Sequence, residues 1–213
     1  MILLLLGAPG SGKGTISSKL IEKHNFKQIS TGDLLRAEVK SGSKLGKQID
    51  GIIKSGNFVS ADLVNNLVKT YVNKYKKAKK NIVLDGYPRN IEQAKYLSTY
   101  TKVDKVVELV VVDKLLVKRI VGRWGCPQCG AGYNVNTSKD YLPIVKKGKY
   151  FCKKCGAELT QRKDDNIATV KNRLKVYKEQ TFPLVKFYQK QKIVTTIDGN
   201  LGSEKIVSKI IKK

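Results

Sequence analysis

The chain has 213 residues, with 42 Lys plus Arg against 17 Asp plus Glu and a formal net charge of +25. That length suits one compact α/β body with small insertions, and the apolar runs are too short to span a bilayer. The charge leaves nucleic acid, an acidic surface or anionic small substrates as partner classes, although lysines scattered as at Lys74, Lys76, Lys77, Lys79 and Lys80 read as a solvated surface.

Ile2 to Leu6 form an apolar strand that runs directly into Gly7-Ala8-Pro9-Gly10-Ser11-Gly12-Lys13-Gly14-Thr15. Ile16, Leu20 and Ile21 then show helical spacing. Strand, glycine-rich turn and helix is the setting in which this pattern forms a phosphate-binding loop. Small residues let backbone N–H groups wrap a phosphate, and the helix adds the positive end of its dipole. Lys13 is placed to reach the outer phosphates, and the hydroxyl that can meet Mg²⁺ comes one position late, at Thr15 rather than Gly14. A second short strand is expected at 26–30, a helix from Ser30 to a stop at Gly42, and another over 43–55 ended by Gly56. Ser60 starts the next helix, so 31–60 reads as a small helical insertion.

Residues 81–84 predict a buried strand ending in Asp85-Gly86-Tyr87-Pro88-Arg89, and a helix over 90–99 follows. Asp85 sits at the carboxyl end of that strand, where ligands bind in open parallel sheets, and a carboxylate there suits Mg²⁺ directly or through water. The apolar run 103–112 predicts another strand, with Asp113 capping a helix over 114–123. Residues 124–161 lose all periodicity and form a second insertion. A long helix is expected from Asp164 to about Gln189, interrupted at Pro183, then a strand over 193–197 and a closing helix over 203–211. Strands alternating with helices predict a parallel sheet covered on both faces.

Only six basic residues are arginines: Arg36, Arg89, Arg119, Arg123, Arg162 and Arg173. A chain so rich in lysine keeps arginine where a planar, bidentate fork for phosphate or carboxylate is needed. Cys126-x₂-Cys129 and Cys152-x₂-Cys155, each pair followed by glycine, form a four-thiolate pattern. Such knuckles present their sulfurs to one tetrahedral metal, and four protein ligands make that metal structural. Zinc is the expected ion; iron also occupies four thiolates. The lone histidine, His24, reads as structural or solvent-exposed.

The chain resembles the adenylate kinases of the long-lid, zinc-containing type. The resemblance rests on GAPGSGKGT at 7–15, STGDLLR at 30–36, DGYPR at 85–89 with Gln93, RIVGR at 119–123, and QRKDD at 161–165 followed by Arg173. It implies a P-loop NTPase-type parallel sheet with helices on both faces, a helical AMP-binding insertion at 30–60, and a zinc-ribbon lid at 122–161. The core is then 1–29, 61–121 and 162–213. It implies that Gly10, Ser11, Gly12, Lys13, Gly14 and Thr15 hold ATP phosphates, that Arg119 and Arg123 face ATP, and that Gly132 and Tyr133 touch it from the lid. Thr31, Arg36, Asn57, Phe58, Val59, Gly86, Tyr87, Pro88, Arg89 and Gln93 hold AMP, with Gln93 reading the adenine edge. Arg162 and Arg173 close on the reacting phosphates, joining Lys13, Arg89, Arg123 and Asp85 in catalysis. Asp164 and Asp165 anchor the lid or its arginines. Asn57 departs from the lysine of many relatives, and the segment between the cysteine pairs is somewhat long. The resemblance further implies Mg²⁺ with ATP, structural Zn²⁺, the nucleotides ATP, AMP and ADP as partners, no membrane or specific nucleic-acid partner, a monomer and a cytoplasmic location. Kinases of other nucleoside monophosphates, a zinc protein that binds nucleic acid, and a nucleotide-binding regulator without turnover are the competing readings.

Overall fold

A computed structural model describes residues 1–55 and 59–212. The expected stop at Gly56 and the expected contacts of Asn57 and Phe58 lie outside the described residues.

Strands β1 (Ile2–Leu6), β2 (Lys27–Ser30), β3 (Ile82–Asp85), β4 (Lys105–Val110) and β9 (Val194–Asp198) form one parallel sheet in the order β2-β3-β1-β4-β9. The two-residue period of a strand divides each apolar run between the two faces. Ile2, Leu4 and Leu6 join Leu84 and Val106 in one core, while Leu3 and Leu5 join Val83 and Val107 in the other. The second core is closed by Ile16 and Leu20 of α1 (Lys13–His24) and by Ile206, Val207 and Ile210 of α9 (Ser203–Ile211). The first is closed by α4 (Ala61–Lys77), α5 (Ile91–Ser98) and α8 (Pro183–Gln189). Glu108 breaks the apolar pattern of β4; it is 7% exposed, and Thr196 Oγ1 donates to it from β9 at 2.8 Å. No helix among the described residues is long and apolar enough to cross a membrane.

The first insertion contains α2 (Thr31–Lys40) and α3 (Lys44–Ser55). Ser30 ends β2 and also caps α2, its hydroxyl accepting from Asp33 N at 3.3 Å. The two helices cross at Gly46, where a Cβ would land on the Glu38 carbonyl of α2. Ser60, expected as a capping start for α4, occupies the N-cap position without a side-chain cap bond.

Several boundaries differ from the sequence expectation. β4 stops at Val110, which pairs with Asp198, because β9 offers no further partner. Val111 and Val112 continue the apolar run outside the sheet, and Val112, not Asp113, is the N-cap of α6 (Asp113–Val121). The expected helix from Asp164 begins only at α7 (Ile167–Val176), capped by Asn166, whose side chain accepts from Thr169 N at 3.0 Å. Its interruption also comes earlier than Pro183. Residues Tyr177–Thr181 form a π turn, with Phe182 N bonded to Tyr177 O at 2.9 Å, and Pro183 opens α8. Proline has no N–H to continue the helical ladder, so the backbone widens just before it.

The second insertion is two hairpins. β5 (Arg123–Gly125) pairs with β6 (Gly132–Asn134), and β7 (Ile144–Lys146) pairs with β8 (Lys149–Phe151). Lys147 and Gly148, both with φ near +50° to +75°, make the tight turn between β7 and β8.

The Gly46 crossing is backbone against backbone, so a larger residue cannot escape by changing rotamer. Gly46→Val is expected to cost about 2 kcal/mol, lowering the melting temperature by roughly 4–8 °C. Calorimetry of the two proteins checks this.

Candidate functional site: a cationic cleft at the carboxyl ends of the strands

The loop after β1 is shaped by glycine. Gly7, Gly10 and Gly12 have φ of 144°, 85° and 102°, all on the side that other residues avoid. A Cβ on Gly7 would lie 2.7 Å from both Leu109 O and Ser11 Oγ. The loop is thereby folded tightly against β4, with the first turn of α1 pointing into the cleft. Ser11 Oγ is buried and has no hydrogen-bond partner, as a hydroxyl kept for a ligand would be. Gly14 lies across from Asp85, its Cβ direction 4.0 Å from Oδ2. Thr15 stands exposed on the same turn.

Lys13 Nζ donates to Gly7 O at 2.7 Å and Ala8 O at 3.0 Å. Its pKa is pushed down to about 8, first by burial, with Asp85 opposing and Arg89, Arg173 and Arg123 adding to the fall. Asp85 is pushed above the usual carboxylate range by burial, with Lys13 opposing. Gln28 Nε2 donates to Asp85 Oδ2 at 3.2 Å.

The arginines converge from distant segments. Arg123 grips Asp165 with Nε and Nη2, and Arg173 Nη1 meets Asp164 Oδ2 at 2.8 Å. Both aspartates are 6% exposed. Arg36 pairs with Asp33, and Arg162 Nη2 reaches the same carboxylate at 3.4 Å. Burial brings Arg89 and Arg162 down to about 10; Arg173 adds to the shift at Arg89, and Arg123 and Arg36 to that at Arg162. Arg119 turns elsewhere, to Gly199 O and Asn200 Oδ1, each at 3.1 Å.

A second loop closes the cleft. Gly86 O accepts from Thr31 Oγ1 at 2.7 Å and from Arg89 Nε at 2.8 Å. Gly86 itself has φ 79°, and its Cβ would crowd Thr31 Oγ1 and Arg89 Nη2, each 3.1 Å away. Gln93 Oε1 accepts from Arg89 N at 2.8 Å. Tyr87, Pro88 and Val59 are buried beneath this loop.

In the second insertion the four cysteine sulfurs all lie within 4.8 Å of one another. Cys126 and Cys155 approach to 3.4 Å, and Cys129 and Cys152 to 3.5 Å. Four thiolates at about 2.3 Å from one tetrahedral ion would be spaced in this way, so the donor set fits a metal. Each knuckle turns on a glycine with positive φ, Gly130 at 72° and Gly156 at 76°. Around it cluster only Tyr133, Leu159 and a few half-buried side chains such as Trp124 and Tyr150. Tyr133 is 7% exposed, its hydroxyl 3.2 Å from Cys152 Sγ and accepting from Lys153 N at 2.8 Å. Its ring therefore belongs to the metal knuckle, and its backbone is what remains to meet a ligand.

Asp33, Gly199 and Asn200 hold arginines of the expected site without announcing themselves in sequence. Asp33 stands three residues before Arg36, a spacing that pairs side chains on a helix and is the one available signal. Gly199 and Asn200 lie 80 and 81 residues from Arg119, and topology alone joins them.

A knuckle with so small an apolar core depends on its metal. A strong chelator, or Cys152→Ser, is expected to make residues 122–161 sensitive to limited proteolysis while the sheet resists. Cleavage that is unchanged by metal removal would count against a structural metal.

The adenylate kinase family model matches residues 5–193. Similar proteins include the adenylate kinase of Syntrophobacter fumaroxidans, 43% identical over 99% of this chain and 98% of the relative. That of Thermodesulfovibrio yellowstonii is 41% identical over 99% and 97%, and that of Rickettsia bellii 37% identical over 100% and 99%. The phosphate loop, the facing loop at 86–93 and the arginines between them lie inside the matched region, and the chain belongs to the adenylate kinase family.

Proposed function

We propose that the chain is an adenylate kinase, transferring the terminal phosphoryl group of ATP to AMP, reversibly and with Mg²⁺, to give two ADP. The observation that carries this reading is the meeting of Lys13, Arg89, Arg123 and Arg173 between the glycine loop after β1 and the loop at 86–93. The acceptor is a phosphate oxygen already ionised at neutral pH, so no general base is required. What the reaction needs is alignment and positive charge around a loose phosphoryl transition state. Lys13 and the four arginines Arg89, Arg123, Arg162 and Arg173 supply it.

ATP lies along Gly10 to Thr15, with its base side toward Arg119 and with Arg123, Gly132 and the Tyr133 backbone above it. AMP lies against Thr31, Arg36, residues 57–59, Gly86 to Arg89, and Gln93. Arg162 and Arg173 bridge the two. The Asp85 carboxylate and the Thr15 hydroxyl would suit Mg²⁺, which when bound would neutralise charge on the ATP phosphates. The division into a core at 1–29, 61–121 and 162–213, an acceptor insertion at 30–60 and a lid at 122–161 follows from these roles. Water is the competing acceptor, so two insertions that close over a rigid sheet serve to exclude it. Zn²⁺ fills the four-cysteine site, and the enzyme acts as a monomer. Formation of ADP from ATP, Mg²⁺ and AMP, measured beside UMP or CMP as acceptor and GTP as donor, tests the assignment.

Lys13→Met and Arg89→Ala are each expected to lower kcat at least 10²-fold, the scale of losing one stabiliser of developing charge. Steady-state assays check this. The lysine change carries a second, opposite sign. Lys13 titrates near 8 in the fold against 10.5 in the unfolded chain, so its buried charge opposes folding below pH 8 and is relieved as pH rises toward 10.5. The inactive Lys13→Met protein should therefore melt higher than the parent at pH 7. By the same titration, kcat/KM for ATP should fall above pH 8, as unliganded Lys13 loses the proton that phosphate requires.

A further inference from the structure

Helix α4 carries one polar residue on its otherwise apolar inner face. Asn65 is 9% exposed, beside Val64, Val68 and Val72. Its Oδ1 accepts a hydrogen bond of 2.7 Å from Tyr87 Oη. Tyr87 is wholly buried, and the same hydroxyl lies 3.4 Å from the Gln93 carbonyl. A phenol has one proton to give, and the shorter distance assigns it to Asn65. Burial, with the Tyr100 side chain close by, holds the Tyr87 pKa well above 10, so the hydroxyl remains a donor.

The bond joins three parts of the acceptor side. Asn65 stands on the second turn of α4, the helix that receives the chain from the 30–60 insertion. Tyr87 belongs to the loop whose Gly86 carbonyl holds Thr31 and Arg89. Gln93 follows, fixed by Arg89 N at its Oε1 and by Asn90 Oδ1 at its own N–H, 2.9 Å away. With Oε1 engaged in this way, the amide presents Nε2 as its donor. Four residues further along α4, the Lys69 ammonium lies over the rings of Tyr96 and Tyr100, at 5.9 and 5.6 Å. Polar and cation–π contacts thus run along the α4–α5 seam. A buried hydrogen bond adds little net stability over an apolar pair of the same shape, but it fixes orientation and is costly to leave half made.

We propose that Asn65 is a positioning residue for the acceptor nucleotide: through Tyr87 Oη it sets the 86–93 loop, and with it the Gln93 amide, relative to the helix that receives the acceptor insertion. The proposal rests on the reading of that loop as the AMP pocket. It gives Asn65 no contact with substrate and no part in phosphoryl transfer.

The test is steady-state kinetics of Asn65→Leu, Tyr87→Phe and the double variant, with AMP and ATP varied separately and melting temperatures measured alongside. Asn65→Leu is expected to raise KM for AMP about 5- to 10-fold, leaving KM for ATP and kcat within about twofold, and Tyr87→Phe, which removes the same bond from its other end, is expected to raise KM for AMP likewise. The double variant should melt no lower than the worse single, because no orphaned group remains, while its KM for AMP stays raised. Tyr87→Phe keeps the ring, so it decides the matter if Asn65→Leu does not fold. An unchanged KM for AMP, or equal rises for AMP and ATP, overturns the proposal and leaves Asn65 a packing residue. Absence of ADP formation by the parent chain would instead defeat the reading of the pocket, and the role of Asn65 with it.

Discussion

Lys13, Arg36, Arg89, Arg123, Arg162 and Arg173 come from separate segments of the chain, and gathering them in one cleft costs electrostatic energy before any ligand arrives. The pKa values of Lys13, Arg89, Arg162 and Arg173 are lowered first by burial, and repulsion among these cations adds to the fall. Much of the surrounding structure answers that cost. Asp164 and Asp165, buried at the entrance to α7, hold Arg173 and Arg123; Asp33 is shared by Arg36 and Arg162. Asp85 faces Lys13 from the end of β3. The carboxylates hold the forks in place without cancelling them, so the cleft keeps an excess of positive charge for phosphates to complete. A fold that had paired every cation would be more stable and would bind no anion.

The parts of the fold legible in sequence are those where local chemistry and tertiary packing agree. Ile2 to Leu6 is buried on both faces, so its apolar run marks the strand without ambiguity. The glycines of residues 7–12 are legible because the backbone angles they adopt exclude other residues. Boundaries set by partners were not legible. β4 ends where β9 ceases to pair, although Val111 and Val112 carry the same residue type onward. The helix after the second insertion begins at Ile167 because Asp164 and Asp165 are turned toward arginines, a use the resemblance implies but the local residue pattern does not separate from a first helical turn. Tyr133 shows the same limit at the site. Its place after the first knuckle suggests a nucleotide contact, but its hydroxyl goes to the second knuckle, which is 20 residues away.

The two insertions are stabilised by different means. The helical one packs α2 on α3 through Gly46 and shares the core of the sheet, with Leu35, Ile49 and Val59 buried in it. The cysteine-bearing one has its own small cluster and reaches the rest through polar contacts, such as Tyr141 Oη to Ser203 Oγ at 2.6 Å and Lys154 to Glu22 at 3.9 Å. The exposed Lys154–Glu22 pair contributes little. The helical insertion is thus coupled to the sheet by apolar burial, whereas the cysteine-bearing one gathers its own small cluster around the four thiols and is tied to the rest by polar contacts, the Arg123–Asp165 pair among them.

The depressed pKa of Lys13 has a chemical consequence apart from phosphate binding. An amine that titrates near 8 carries a far larger neutral fraction at neutral pH than an ordinary lysine near 10.5, and the neutral form is the nucleophile. Among the described lysines, the one in the phosphate loop is the one whose pKa is clearly lowered, which disposes its amine toward acylation or condensation with an aldehyde wherever a reagent can reach it. In the proposed reading, a bound phosphate would restore its proton and cover it. The lysine proposed to face the donor phosphates is therefore also the amine whose covalent reactivity would report, in the intact protein, whether that site is filled.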